Sequence, residues 1–391
     1  MSGEKCFAET VTEMSRHTRG PEILRGLGAY LDRIGFHAAY KYLASANFYS
    51  VTPAVLSSGN ADFTRLSARF GGDIPPLIWL LSAGIPCRPE SLDADERRLA
   101  EDLAGLRLAR EEDGELHPGP LQLISAFGRY ILVDARIHFP ERAKGRLHDI
   151  YIGCDSLLLM YYVDDIPGRV RTAIDLCSGS GVVALGLAKF ADRVIASDIA
   201  PVALALIGMN TLLNRAEDRL IIRRERLEET LANREAFDLI TCNPPFVAFP
   251  PGFGGPLYAI GPDADGQGYL RRLVERAPEK LTPDGQALFV SHLPGSEKEP
   301  FFFDELRQAT QKHGFFVEAF VDARMRTDGQ ARAMAGLLRI GSPDQPLDVL
   351  RREMDRFYRE DLGCSHFYLS VIRLRRSGRP EVRVLNRFRE G

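Results

Sequence analysis

Strand-like and helix-like segments alternate along the C-terminal part of the chain, and this pattern limits the possible folds more than any other feature. After about Leu147, short apolar runs alternate with segments in which apolar residues recur at helical spacing. The segments are Thr172–Leu176, Val182–Phe190, Val194–Ser197, Pro201–Leu213, Leu220–Arg223, Phe237–Cys242, Tyr269–Leu281 and Ala287–Ser291. Such alternation is typical of a parallel sheet with helices on both faces. The sequence therefore predicts a doubly wound α/β domain over residues 147–391, with two further strands at Phe315–Val321 and Phe367–Leu374.

The first 146 residues follow a different pattern. A chain of 391 residues is long enough for two domains. Helical spacing of apolar residues predicts helices at Ile23–Ile34, Phe63–Phe70 and Pro75–Gly84. Short apolar runs separated by turn residues then predict two or three antiparallel strands between Leu106 and Val133. Residues 1–146 are thus predicted to form a helical domain, for which a winged helix is one interpretation.

Charge and cysteine content restrict the partners and the location that we expect. The chain has 50 Lys and Arg residues against 53 Asp and Glu, so it has no overall positive field that would attract a nucleic acid. Its six cysteines include no C-x-x-C pair, and no apolar segment is long enough for a signal peptide or a membrane span. Its eight histidines show no metal-ligand spacing. We expect a reduced, cytoplasmic protein with no membrane contact and no metal site.

A glycine loop follows the first predicted strand of the C-terminal domain. The sequence from Ala173 to Gly181 reads AIDLCSGSG and leads directly into a predicted helix. Glycine lets a ligand approach the backbone, and the helix start offers free N–H groups. The carboxylate of Asp175 repels a pyrophosphate but not an ammonium or sulfonium group. Asp198 ends the next strand, where it can accept hydrogen bonds from ribose hydroxyls, although capping of the helix near Pro201 is an alternative.

With these residues the sequence resembles the class I S-adenosylmethionine-dependent methyltransferases over roughly Asp149 to Leu374. The resemblance implies a Rossmann-like fold, S-adenosyl-L-methionine as cofactor and S-adenosyl-L-homocysteine as product. It also implies that Asp175 and the glycine loop face the methionine end, that Asp198 holds the ribose, and that the adenine lies near Arg226. The cofactor-binding residues implied in this way are Asp175, Cys177, Ser178, Gly179, Gly181, Asp198, Ile199, Arg226, Leu227 and Asn243.

The tetrapeptide Asn243-Pro244-Pro245-Phe246 follows the fourth predicted strand. Two prolines fix the backbone direction, so Asn243 is aimed away from the strand end. Its side-chain oxygen and the Pro244 carbonyl can each accept an N–H bond from a planar amino group, and Phe246 can stack on that group. The alternative is a plain turn after a buried strand. The motif resembles that of amino-methyltransferases acting on release-factor glutamine, ribosomal-RNA guanine or DNA adenine, which implies that Asn243, Pro244 and Phe246 are catalytic residues.

Two weaker features are candidate substrate contacts. Asp155 and Ser156 precede the glycine loop, where related enzymes fold a segment over the cofactor, although N-capping of an apolar helix is an equal alternative. Tyr258 lies in a Gly- and Pro-rich run, residues 248–268, which is long enough for a substrate lid or for an exposed loop.

Together these features predict an S-adenosylmethionine-dependent enzyme that methylates a nitrogen of a small molecule or of a protein side chain. The net charge makes RNA the less favoured acceptor, so methylation of a ribosomal-RNA or transfer-RNA base is the alternative. A different class of function is also open: a winged-helix DNA-binding regulator that only senses the cofactor. The complete Asn243–Phe246 motif favours the enzyme, because a sensor needs no group that orients an acceptor.

Overall fold

The computed structural model describes residues 6–43, 74–137, 149–150, 152–166, 170–250, 259–341, 344–376 and 379–387. Three features predicted from the sequence lie outside these ranges. They are the helix Phe63–Phe70, the domain boundary after residue 146 and the candidate substrate residue Tyr258.

The described residues of the N-terminal region are mostly helical as far as Gly105, as predicted. Its helices are α1 (Phe7–Ser15), α2 (Gly20–Arg33), α3 (Phe36–Leu43), α4 (Pro76–Ile78) and α5 (Ala94–Gly105). A wider helical turn at Trp79–Ala83 extends α4 and ends at Gly84, whose φ of 70° gives the left-handed conformation of a helix C-cap. Short 3₁₀ turns occupy Pro89–Ser91 and Ala135–Ile137.

Two antiparallel hairpins follow α5 and confirm the predicted strands. The first pairs β1 (Ala109–Glu112) with β2 (Glu115–Pro118), and the second pairs β3 (Leu121–Ala126) with β4 (Arg129–Asp134). Both turns have two residues with positive φ, the geometry that matches the natural twist of a hairpin. The winged-helix interpretation of this region stays a prediction.

The C-terminal region contains an eight-stranded sheet among the described residues, and it confirms the predicted doubly wound α/β class. The strands are β5 (Val170–Leu176), β6 (Ala191–Asp198), β7 (Leu220–Arg224), β8 (Phe237–Cys242), β9 (Leu281–Gly295), β10 (Phe315–Arg326), β11 (His366–Arg376) and β12 (Glu381–Asn386). Their order across the sheet is β12-β10-β11-β9-β8-β5-β6-β7. Only β11 is antiparallel to its neighbours β9 and β10; the other described pairs in this sheet are parallel.

Helices cover both faces of this sheet. They are α6 (Cys154–Asp164), α7 (Val182–Leu187), α8 (Pro201–Leu213), α9 (Leu227–Ala232), α10 (Gly268–Lys280), α11 (Phe302–His313), α12 (Thr327–Gly341) and α13 (Leu347–Arg356). The apolar residues of α6, α7 and α8 belong to one buried cluster, and those of α9, α10 and α11 belong to a second on the opposite face. Burial on both faces explains why the last four residues of β5 and of β8 are all buried, rather than alternating between buried and exposed.

The N-terminal hairpin β3–β4 docks on α8 through two asparagines one helical turn apart. The Asn210 side chain accepts a hydrogen bond from Leu132 N (2.7 Å) and donates to Leu132 O (3.1 Å). In the same way, the Asn214 side chain accepts a hydrogen bond from Tyr130 N (3.0 Å) and donates to Tyr130 O (2.6 Å). The free edge of β4 is therefore satisfied by side chains of α8, and residues of both regions share one hydrophobic core. The division into domains at residue 146 stays a prediction.

Two helices separate β10 from β11, although the sequence predicted only one around Leu347–Arg359. The additional helix is α12, and α13 continues into a wider turn at Phe357–Asp361. Both helices contribute to a third apolar cluster, which also contains Ala248 and Phe249. The chain that follows the Asn243–Phe246 motif is thus packed against this pair of helices.

Candidate active site

The predicted cofactor and acceptor segments meet at the carboxyl ends of β5, β6 and β8. Strand order reverses between β5 and β8, which makes this edge a topological switch point, the usual ligand site of an open α/β sheet. Leu176 pairs with Cys242 in the parallel register of these two strands. The glycine loop after β5 and the tetrapeptide after β8 therefore start side by side.

The glycine loop has the backbone conformation that its sequence predicts. Cys177, Gly179 and Gly181 have positive φ values of 54°, 54° and 80°. Ser178 N donates to Ser197 O at the end of β6 (3.0 Å), and Gly181 N donates to Ser178 O (2.8 Å). A Cβ built on Gly179 would meet nothing within 4 Å, so the loop faces open space at this residue. The absence of a side chain here leaves room for a ligand close to the backbone.

Asp175 lies beneath this loop and is only 2% exposed. Its carboxylate accepts hydrogen bonds from Ser178 Oγ and from Thr241 Oγ1 (2.8 Å), so it ties the loop to β8. Burial raises the pKa of Asp175 to about 7, although the two hydroxyl bonds act in the opposite direction. A direct contact of Asp175 with the cofactor stays a prediction.

Asp198 forms the opposite wall of the crevice. Its carboxylate accepts hydrogen bonds from Gly179 N and from Ala200 N, both at 2.9 Å, and burial raises its pKa. The residue at the N-cap of α8 is Ala200, so the alternative in which Asp198 caps that helix is not what the structure contains. Each carboxylate oxygen keeps a lone pair for a further donor such as a ribose hydroxyl. Beside it, Ile199 is 53% exposed and offers an apolar surface.

The turn between β7 and α9 lies against the backbone of Asp198. Glu225 N donates to Asp198 O (3.2 Å). Arg226 is the N-cap residue of α9, and its N–H donates to Glu229 Oε2 (2.8 Å). Leu227 is 6% exposed and packs in the second apolar cluster. The structure thus brings the predicted adenine segment next to Asp198, while the contact of Arg226 and Leu227 with a ligand stays a prediction.

Asn243 is held by the first turn of α6. Its Nδ2 donates to Asp155 Oδ2 (3.1 Å) and to Ser156 Oγ (3.0 Å). Gly153, not Asp155 or Ser156, is the N-cap residue of α6, so capping does not account for these two side chains. Burial raises the pKa of the Asp155 carboxyl, and the bond from Asn243 lowers it. Pro244 is buried behind Asn243, and Phe246 is half-buried.

Two residues at this site were not identified from the sequence. The ring centroid of His292, near the end of β9, is 6.0 Å from that of Phe246, and burial lowers the His292 pKa to about 4, so its imidazole is neutral near pH 7. Gln267 is fully buried and donates to the carbonyls of Phe246 and His292. His292 directly follows the predicted strand Ala287–Ser291, and a polar residue at a strand end could have been identified as a site candidate. The sequence offered no such indication for Gln267, because Phe246 and His292, which it binds, are distant in sequence.

Comparisons with known proteins assign the chain to a family. The family model for the methyltransferase small domain matches residues 152–319. The ribosomal protein uL3 glutamine methyltransferase of Bordetella pertussis is 30% identical over 225 residues, which cover 53% of this chain and 72% of that protein. This chain belongs to the class I S-adenosylmethionine-dependent methyltransferases. That result supports the enzyme interpretation over the cofactor-sensing regulator.

Two further proteins are similar to this chain. The release factor glutamine methyltransferase of Clostridium acetobutylicum is 28% identical over 156 residues, covering 37% of this chain and 52% of that protein, so the chain spans about half the length of this relative. Among solved structures, wild-type Trm5b from Pyrococcus abyssi has a TM-score of 0.40 and 16% identity, covering 73% of this chain and 71% of that one.

The residues of this methyltransferase fit an adenosyl cofactor. The open face of Gly179, the carboxylate of Asp198 and the exposed side chain of Ile199 offer space, hydrogen-bond acceptors and an apolar surface, respectively. Among the described residues, no group of three or more His, Cys, Asp or Glu side chains is placed to hold a metal ion. In the same part of the chain, no helix is long and apolar enough to cross a membrane.

Proposed function

We propose that this methyltransferase transfers a methyl group from S-adenosylmethionine to the side-chain amide nitrogen of a glutamine in a protein. The observation that carries the proposal is the position of Asn243, directly after β8 and beside the glycine loop that follows β5. A residue there can present an acceptor to a cofactor held by the neighbouring strand end. The names of the relatives, which specify a glutamine of ribosomal protein uL3 and of a release factor, support the choice of acceptor.

The cofactor half of the site consists of the glycine loop, Asp198 and Ile199. In the proposal, Asp198 accepts hydrogen bonds from the ribose hydroxyls, and Ile199 packs against the adenine. The backbone at Gly179 lies against the cofactor, since a Cβ would occupy that space. When bound, S-adenosylmethionine supplies an electrophilic methyl group on a sulfonium.

The acceptor half holds the amide group of the substrate. With its Nδ2 engaged by α6, Asn243 offers its Oδ1 as an acceptor, and the Pro244 carbonyl offers a second. A primary amide has two N–H donors in one plane, so the two oxygens fix its orientation. They also stabilise the positive charge that develops on the nitrogen as the new N–C bond forms and the methyl–sulfur bond breaks, with its electron pair left on sulfur. The methylated nitrogen then loses one proton to solvent, which leaves a neutral secondary amide. Phe246 packs on the flat face of the amide.

A methylation assay tests the proposal directly. The full chain is incubated with labelled S-adenosylmethionine and one of three acceptors, namely ribosomal protein uL3, a release factor or ribosomal RNA, and the protein products are mapped by mass spectrometry. We expect methyl incorporation on a glutamine side chain. Asn243→Ala should lower kcat by about 10²-fold, because one of two orienting acceptors is lost, while calorimetric affinity for the cofactor changes little.

The matched control is Asn233→Ala, since Asn233 lies at the end of α9 and its side chain binds Glu235 rather than the crevice. It should retain wild-type kcat. Labelling of RNA with no labelled glutamine would overturn the proposed acceptor. Equal cofactor affinity in the wild type and in Asp198→Ala would overturn the proposed cofactor site.

A further inference from the structure

The N-terminal turn of α6 and the end of β8 share a buried polar contact that the proposed reaction does not by itself require. Asp155 and Ser156 are 6% and 5% exposed, and both accept a hydrogen bond from the same amide nitrogen of Asn243. The two donors of that NH₂ group are matched by these two acceptors, so its capacity is filled.

This arrangement determines which way the Asn243 amide faces. The two hydrogens of Asn243 Nδ2 are taken up by Asp155 Oδ2 and Ser156 Oγ, so the amide oxygen of Asn243 points away from α6. We propose that Asp155 and Ser156 are positioning residues, which lock the Asn243 amide with Oδ1 turned toward the methyl acceptor. The inference rests on the proposed function, in which Oδ1 accepts an N–H of the substrate. If the Asn243 amide were reversed, its NH₂ group would face the N–H donors of the substrate, and no hydrogen bond could form between them.

A purely structural role does not account for Asp155. Its second oxygen, Oδ1, is buried without a hydrogen-bond partner among the described residues. A buried carboxylate with an unsatisfied oxygen destabilises a fold rather than stabilising it. If Asp155 acts by orienting Asn243, its replacement by Leu, which has the same branching but no acceptor, should leave stability unchanged or higher and should still impair turnover. A structural residue would change stability and turnover in the same direction.

The experiment compares Asp155→Leu and Ser156→Ala with Cys154→Ser, a half-buried neighbour in the same turn whose side chain is not among the hydrogen-bond partners of Asn243. Turnover of a glutamine substrate, calorimetric affinity for S-adenosylmethionine and thermal unfolding are measured for each. We expect kcat to fall by about 10²-fold in Asp155→Leu, as expected for a misplaced catalytic group. Cofactor affinity and thermal stability should be no lower than those of Cys154→Ser. In an Asn243→Ala background, Asp155→Leu should cause no further loss, since the group that Asp155 orients is gone.

A second measurement does not depend on the substrate. In ¹⁵N–¹H spectra, the side-chain amide of Asn243 is assigned by its absence from Asn243→Asp, and its hydrogen exchange is followed. Exchange should be slow in the wild type and fast in a variant carrying both Asp155→Ala and Ser156→Ala. Fast exchange in the wild type, or an equal kcat loss in the Asn243→Ala background, would overturn the inference. If the wild type methylates no glutamine but the amide is protected, the proposed acceptor fails and the positioning contact stands.

Discussion

The side chain of Gln267 joins the tetrapeptide motif to the end of β9. Gln267 is 0% exposed, and its Nε2 lies 3.3 Å from Phe246 O, 3.1 Å from Asp265 O and 3.0 Å from His292 O. Its Oε1 accepts a hydrogen bond from Ser291 Oγ (2.7 Å). The side-chain amide of Gln267 therefore holds the backbone at both Phe246 and His292, whose rings are neighbours. We predict that Gln267→Leu, which keeps the approximate shape but no polar atom, destabilises the protein and lowers turnover.

The contacts set the size of the effect. The NH₂ group of Gln267 has two hydrogens and three carbonyl partners, so at least one hydrogen is shared between two carbonyls. The bond that Oε1 accepts from Ser291 adds a fourth contact. At a net 0.5–1.5 kcal/mol for each hydrogen bond, three to four lost bonds correspond to about 3–4 kcal/mol. Ser291→Ala removes only one of them and should cost about 1 kcal/mol. A ratio of roughly three between the two losses is the expected signature.

Urea unfolding followed by circular dichroism measures both losses as shifts in transition midpoint. In turnover assays, Gln267→Leu should lower kcat because Phe246 and His292 lose their fixed positions, while affinity for S-adenosylmethionine stays close to wild type. None of the Gln267 side-chain bonds reaches the glycine loop. If Gln267→Leu unfolds at the wild-type urea concentration and keeps wild-type kcat, the hydrogen bonds do not hold the acceptor side in place and the reasoning fails.

Two further predictions concern other parts of the fold. In α2, Gly28→Ala should destabilise by more than about 2 kcal/mol, since its Cβ would lie 2.2 Å from Leu213 O. Gly26→Ala, with nothing within 4 Å, should stabilise by about 0.5–1 kcal/mol in urea unfolding; equal effects would contradict the close approach. Burial raises the pKa of Asp175 in the folded protein from its ordinary value of 3.8 to about 7, so its stabilising contribution is complete below about pH 4 and is lost as the pH rises through 7. Relative to Asp175→Asn, the wild-type free energy of unfolding should therefore fall by roughly 4 kcal/mol between pH 4 and 8, and parallel curves would contradict this.

The secondary structure around the proposed cofactor site was predictable because it is local in sequence. The strand β5, the glycine loop, α7 and Asp198 come from a single stretch, residues 170–198, in which strand periodicity, glycine positions and a strand-end carboxylate are all visible. Helix and strand limits there differ from the predicted ones by a few residues at most. Local backbone preferences and short-range hydrogen bonds determine this unit, and these are the quantities that a single sequence reveals.

Long-range packing was not predictable in the same way. The helix α12 was missed between two predicted strands, and its burial depends on the cluster it forms with α13 and Phe249. The docking of β4 on Asn210 could not be predicted either, because a buried asparagine in an apolar helix does not indicate which strand's backbone groups it will hydrogen-bond. Such contacts depend on which surfaces meet after the sheet has formed.

The acceptor half of the site depends on contacts of this second kind. Asn243 is oriented by Asp155, 88 residues earlier, and the Phe246 carbonyl is held by Gln267, 21 residues later. Tyr358, 110 residues beyond Ala248, donates a hydrogen bond to its carbonyl at 3.4 Å. We expect a change in any of these distant elements to move the acceptor groups more than the glycine loop. The tetrapeptide motif therefore predicts a planar nitrogen as the acceptor, whereas in our proposal the choice of substrate depends on elements that surround the motif in space but not in sequence.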